Sequence, residues 1–193
     1  MASWLSRWLW GGEERRILGI PVELRNTRAD IADSDVLERL EEALDLLDRY
    51  AARRLACLRR DVRAIRIERF PTRGAFLPAE GVVLAELTFL ARRDITAAPV
   101  ASSILHEGVH ARVHAFRLGV LGGRSPWADP AKEERLCRRQ ELEFGMSLPA
   151  ELGGPVVERA LASLALADND VAPAIDWSLA RARQDAIDRA NGQ

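Results

Sequence analysis

The chain has three histidines, His106, His110 and His114, spaced four residues apart in the run SILHEGVHARVHAF. Glu107 follows the first, so His106 to His110 reads H-E-x-x-H. On a helix, residues i and i+4 share a face about 6 Å apart along the axis. Two imidazoles so placed can converge on one Zn²⁺ at roughly 2.0–2.1 Å each. Glu107 then projects to the side where a zinc-bound water would sit. Zinc lowers the pKa of such a water to about 7, and the carboxylate can take its proton as general base. The competing account is a polar stripe on an exposed helix. Leu105, Val109 and Val113 argue against it, since they form an apolar stripe with the histidines at its border.

Two histidines need a third protein ligand. His114 lies about 12 Å from His106 along a straight helix, too far for both to bind one ion. It is expected in an outer supporting or helix-capping role, or as a transition-state stabiliser. The longer pattern H-E-x-x-H-x-x-G-x-x-H also fails, because Val113 stands at its glycine and Phe116 at its third histidine. A carboxylate on a later helix is left. The stretch 131–149 offers Glu133, Glu134, Glu141 and Glu143. Glu134, Cys137 and Glu141 fall on one face at i, i+3 and i+7, and small Cys137 would permit close helix approach. Glu134 is the first choice, Glu133 the second and Glu141 the third. Glu143 is expected in solvent or in a salt bridge.

These residues need elements to position them. Residues 16–24 read as a short edge-type strand around a proline. Leucines recur at three- and four-residue steps from 34 to about 60, predicting one long amphipathic helix capped by Ser34 or Asp35. Ile65 and Ile67 alternate with Arg66 and Glu68, predicting a half-buried strand over 62–70. Residues 75–91 predict a hairpin, with a helix from about 83 as competitor. The histidine helix is expected over 98–118, with Pro99 in its first turn. The Gly- and Pro-rich stretch 119–130 is a loop that reverses the chain. Helices follow from 130 to about 148, over 154–167 and over 172–190. Helix, small antiparallel or mixed sheet and a mostly helical second half make an α+β domain over 16–193.

The constellation resembles the gluzincin branch of zinc metallopeptidases in a minimal form. Those proteins pair an H-E-x-x-H helix with a glutamate on a following helix, often as E-x-x-A-D or E-x-x-A-N. Here "ERLCR", from Glu134 to Arg138, has that shape, and the chain also resembles uncharacterised bacterial proteins with H-E-x-x-H-A-R followed by E-x-x-C. The resemblance spans about 65–149. It implies a zincin-like fold, one Zn²⁺ on His106, His110 and Glu134, Glu107 as base, and hydrolysis of a peptide or protein substrate. It also implies a sheet edge beside the cleft, where an extended peptide can pair; the strand over 82–87 is the expected edge. Arg138 departs from the family's Asp or Asn and removes a possible partner for a ligand histidine. A zinc-binding protein of this fold that cleaves nothing, acting as a binding or regulatory module, is the alternative.

Composition sets the outer bounds. Of the residues, 48% are hydrophobic and 30% charged, and the net charge of −1 gives no electrostatic case for nucleic acid. Two cysteines, Cys57 and Cys137, make no disulfide framework and suit a reduced, cytoplasmic setting. No run reaches the roughly 18–20 apolar residues a membrane span needs. Three of the five tryptophans, Trp4, Trp8 and Trp10, crowd residues 1–15. That segment is expected to fold back onto the domain, or to make a peripheral membrane or protein contact.

Overall fold

The structure is a computed structural model, and it describes residues 15–121, 129–173 and 176–190. The N-terminal tryptophans and most of the 119–130 loop lie outside these residues. Five strands, β1 (Arg15–Ile17), β2 (Ile20–Arg25), β3 (Ala64–Glu68), β4 (Gly74–Leu77) and β5 (Val82–Glu86), form one mixed sheet in the order β1-β2-β3-β5-β4. β2, β3 and β5 run parallel, and β1 and β4 are antiparallel to their neighbours. The hairpin expected over 75–91 is present. Its second strand, however, is central rather than peripheral, and the edge is β4. The burial of all five β5 residues explains this: a strand covered on both faces reads as a continuous apolar run.

β3 is likewise more buried than its alternation implies. Arg66 is only 4% exposed, lying beneath ion pairs to Glu23 (2.7 Å) and Glu80 (2.6 Å). A charged residue in a strand can thus be covered when acids from neighbouring segments meet it.

Eight helices are described: α1 (Asp33–Tyr50), α2 (Ala52–Asp61), α3 (Leu87–Ala91), α4 (Ala98–Leu121), α5 (Pro130–Ser147), α6 (Ala150–Leu164), α7 (Asp168–Val171) and α8 (Trp177–Ala190). The single long helix expected from 34 is two. The chain leaves helical geometry at Ala51 (φ −144°), yet Leu55 and Leu58 return to the core, so the periodicity does not register the break. Neither Ser34 nor Asp35 caps α1. Its N-cap is Ala32, and the Asp33 carboxylate accepts from Asn26 Nδ2 at 2.8 Å. α6 starts earlier than expected because Pro155 sits inside it, in its second turn.

The main core fills the space between the helices and one face of the sheet, with Ile65, Ile67, Val83, Leu40, Leu44, Ile104 and Leu105 among its members. A smaller cluster of Ala64, Phe70, Val82 and Leu84 covers the other face. Trp177 of α8 packs on Phe70 with ring centroids 5.4 Å apart, and Asp188 pairs with Arg69 at 2.7 Å. α4 runs through the centre, touching α1, α2, β4, β5, α5 and α6. α5 and α6 approach so closely at Gly145 and Gly153 that a Cβ on Gly153 would lie 2.1 Å from the Gly145 carbonyl oxygen. Among the described residues, no helix is long and apolar enough to cross a membrane.

Candidate metal centre

α4 is helical where H-E-x-x-H falls, and one of its sides enters the core through Ala101, Ile104, Leu105 and Val109. Val113 is only partly buried. His106 and Glu107 are buried and His110 is half-buried. α5 crosses this face antiparallel: His106 meets Glu141, whereas His110, one turn on, meets Glu133. Asp129 starts α5 by accepting from the Ala131 and Lys132 amides, with Pro130 in the first turn.

Each ring nitrogen has a distinct partner. His106 Nδ1 lies 2.9 Å from Glu141 Oε1, and His110 Nδ1 lies 2.8 Å from Glu133 Oε1. An ionised carboxylate only accepts, so each Nδ1 carries a hydrogen. In the neutral rings both Nε2 atoms are then bare lone pairs, 3.2 Å apart. Glu134 faces the same point, Oε2 lying 3.2 Å from His106 Nε2 and Oε1 3.2 Å from His110 Nε2. Electron pairs from three side chains converge there, an arrangement that demands a cation or a proton. Donors around a tetrahedral zinc with bonds near 2.0–2.1 Å stand about 3.3–3.4 Å apart, so this set fits one zinc.

The other two acids are held from outside. Arg138 Nη1 reaches both oxygens of Glu141 at 3.0 and 3.1 Å, and Arg117 pairs with Glu133 at 2.5 Å. The expected loss of an outer partner at Arg138 is therefore offset. Glu141 and Glu133 supply the acceptors, and Arg138 steadies one of them. Glu133 and Glu141, the second and third choices for the ligand, thus face Nδ1 atoms, away from the converging pairs. Glu143 accepts from Gln140 at 3.0 Å. Replacing Glu141 with Gln should weaken zinc binding about 10–100-fold, measured by competition with a chromogenic chelator. An unchanged affinity would show that Glu141 does not orient His106.

One donor escaped the sequence reading. Cys137, expected only as a small packing residue, is fully buried, and its thiol lies within 4.8 Å of the His106 and His110 donor atoms. His106, His110 and Cys137 are a group that could hold a metal ion. Its i+3 relation to Glu134 was the available signal.

The protonation states follow from this crowding. Burial disfavours the charged form of both rings, but hydrogen bonds outweigh it. Glu134 and Glu141 raise the pKa of His106; Cys137, Glu133 and Glu134 push that of His110 up to about 12. Burial opposes ionisation of Glu134, yet the two rings hold its carboxyl well below the usual range. Without metal, protons thus occupy the site. The raised histidine values stabilise the metal-free fold fully below the ordinary His pKa, near 6.5, and that contribution is lost as pH rises above it, for His110 toward about 12. A metal ion held by these donors would not suffer this loss, and it would compete with fewer protons as pH rises. The melting-temperature gap between zinc-loaded and metal-free protein should therefore widen between pH 6 and pH 9. A constant gap in scanning calorimetry would contradict this.

Glu107 is buried beside the donors, and burial raises its pKa against the pull of His106 and His110. Its carboxylate accepts from the Phe76 backbone N–H of β4. Gly74 allows this approach, since a Cβ there would lie 3.2 Å from Glu107 Cγ and 3.0 Å from Ser103 Oγ. Thr72 Oγ1 donates to the Gly74 carbonyl at 2.8 Å. His114 stands outside the donor cluster, its ring tilted on Phe76 with centroids 5.6 Å apart.

His106, Glu107, His110, His114, Glu133, Glu134 and Glu141 line a cavity of about 820 Å³, bounded also by the 72–78 segment, α6, Val171, Ala172, Pro173 and Trp177. Comparison with family models, characterised proteins and solved structures finds no match. The function is therefore read from the donor set and its cavity.

Proposed function

We propose that the chain is a zinc-dependent peptidase of zincin type. The observation that carries this reading is the convergence of the two Nε2 atoms and the Glu134 carboxylate, at mutual distances of 3.2 Å, on the wall of the cavity. His106, His110 and Glu134 would hold the ion. When bound, zinc supplies Lewis acidity that polarises a carbonyl and acidifies water. Glu107 does the proton work. Burial raises its pKa, which favours holding the proton it accepts, and the Phe76 N–H orients its carboxylate. It takes a proton from the attacking water and delivers it to the departing amine. Peptides of several residues fit a cavity of this volume.

A second reading rests on Cys137. Were His106, His110, Glu134 and Cys137 all ligands, the tetrahedral shell would be closed, as in structural sites. The protein would then bind zinc as a regulatory or docking module. Metal analysis joined to a peptide-library digest tests both readings. About one equivalent of zinc with cleavage supports the first, and zinc without cleavage supports the second. No zinc, and none taken up on addition, overturns both.

A further inference from the structure

Arg159 of α6 lines the cavity, half-buried, and makes no hydrogen bond or ion pair with the described residues. A partly desolvated guanidinium without an acceptor is unfavourable. Burial lowers its pKa, and the field of Arg138 and Arg73 acts in the same direction. Acids stand near it, but their oxygens are committed. Glu141 gives both to Arg138 and one also to His106. Glu134 faces the two histidine rings, Glu133 is shared by His110 and Arg117, and Glu107 is tied to Phe76. Among the described residues no carboxylate is paired with the Arg159 guanidinium, whose planar donor fork lines the cavity.

We infer that Arg159 binds a carboxylate of the substrate, making this a peptidase for peptides with a free carboxylate near the scissile bond. A bidentate carboxylate matches the guanidinium fork. That carboxylate comes from either a C-terminus or an acidic side chain. This inference rests on the peptidase reading for the bond cleaved, but not for the binding itself. Arg159 projects from a helix anchored by the Gly145–Gly153 contact, so the root of its side chain is held beside the cavity.

The test is calorimetric binding to the full-length, zinc-loaded Glu107→Gln protein, which keeps peptide intact. The probes are acetyl-trialanine with a free carboxylate, its C-terminal amide, and the amide of acetyl-Ala-Asp-Ala. One carboxylate probe is expected to bind about 10–100-fold more tightly than the neutral amide. If it is the first, the C-terminus is read; if it is the third, an acidic side chain is read. In the Glu107→Gln background, Arg159→Met should bring that ratio to within about twofold, and Arg159→Lys should restore part of it. A ratio that survives Arg159→Met would place the carboxylate on the zinc and overturn the inference, as would equal binding of all three probes. If Arg159→Met fails to fold, Arg159→Gln replaces it. Absence of cleavage by the wild-type protein, with the binding ratio intact, would overturn the peptidase reading alone.

Discussion

Glu107→Gln is expected to keep about one equivalent of zinc while lowering peptide hydrolysis about 10²–10⁴-fold, the usual contribution of a positioned general base. Glutamine preserves the shape of the side chain and still offers an oxygen to the Phe76 N–H, so β4 and the donor cluster stay in place. What it loses is the capacity to carry a proton. Glu107 makes no contact with the converging nitrogens short enough to make it part of the donor set, so metal content should not follow activity. The measurement pairs metal analysis with kcat on one cleaved peptide. Full activity in Glu107→Gln would assign the proton transfer elsewhere. Loss of zinc together with activity would make Glu107 a determinant of the metal site instead.

Glu134→Ala is expected to weaken zinc binding by on the order of 10²–10³-fold. Structural zinc sites of four ligands bind with about 10–16 kcal/mol, so one ligand contributes about 2.5–4 kcal/mol. Removal of Glu134 also leaves the two Nε2 lone pairs 3.2 Å apart with no carboxylate to offset a charge placed between them. The companion variant is Cys137→Ala. In the peptidase reading it should hold zinc within a few-fold of wild type, because three ligands and an open position remain. A drop in Cys137→Ala equal to that in Glu134→Ala would instead favour the closed, four-donor site. Spectroscopy of cobalt-substituted protein separates the two independently, since thiolate ligation adds an intense charge-transfer band.

The candidate site was legible because its signals are local. His106, Glu107 and His110 are one helical turn of sequence, and helix geometry alone set His114 apart from the donor cluster. A glutamate on the following helix was expected from the need for a third donor and from a chain reversal, with Glu134 preferred to Glu133 and Glu141. What the sequence did not disclose depends on rotations between elements. Whether Glu133, Glu134 or Glu141 faces the Nε2 side turns on the angle of α5 against α4, and a shift of one residue rotates a helix by about 100°. Arg159 lies on α6, whose placement depends on a glycine contact visible only in three dimensions. The fold shows the same division. The hairpin and the helical second half are periodic signals. The break at Ala51 and the central place of β5 are tertiary outcomes, set by what covers each face.

The tie between Glu107 and Phe76, with that between Thr72 and Gly74, has a consequence for how copies of the protein meet. A strand at the rim of a sheet normally offers a row of open main-chain groups that invites another chain to add on. On β4 the Phe76 N–H and the Gly74 carbonyl are already engaged by side chains of the same molecule. At the opposite rim, β1 is three residues long and carries Arg15 and Arg16. Both rims are thus guarded against sheet-to-sheet polymerisation, one by brevity and charge and the other by the residue proposed as base. Release of Glu107 would therefore unmask a sticky rim as well as free the proposed base from its place.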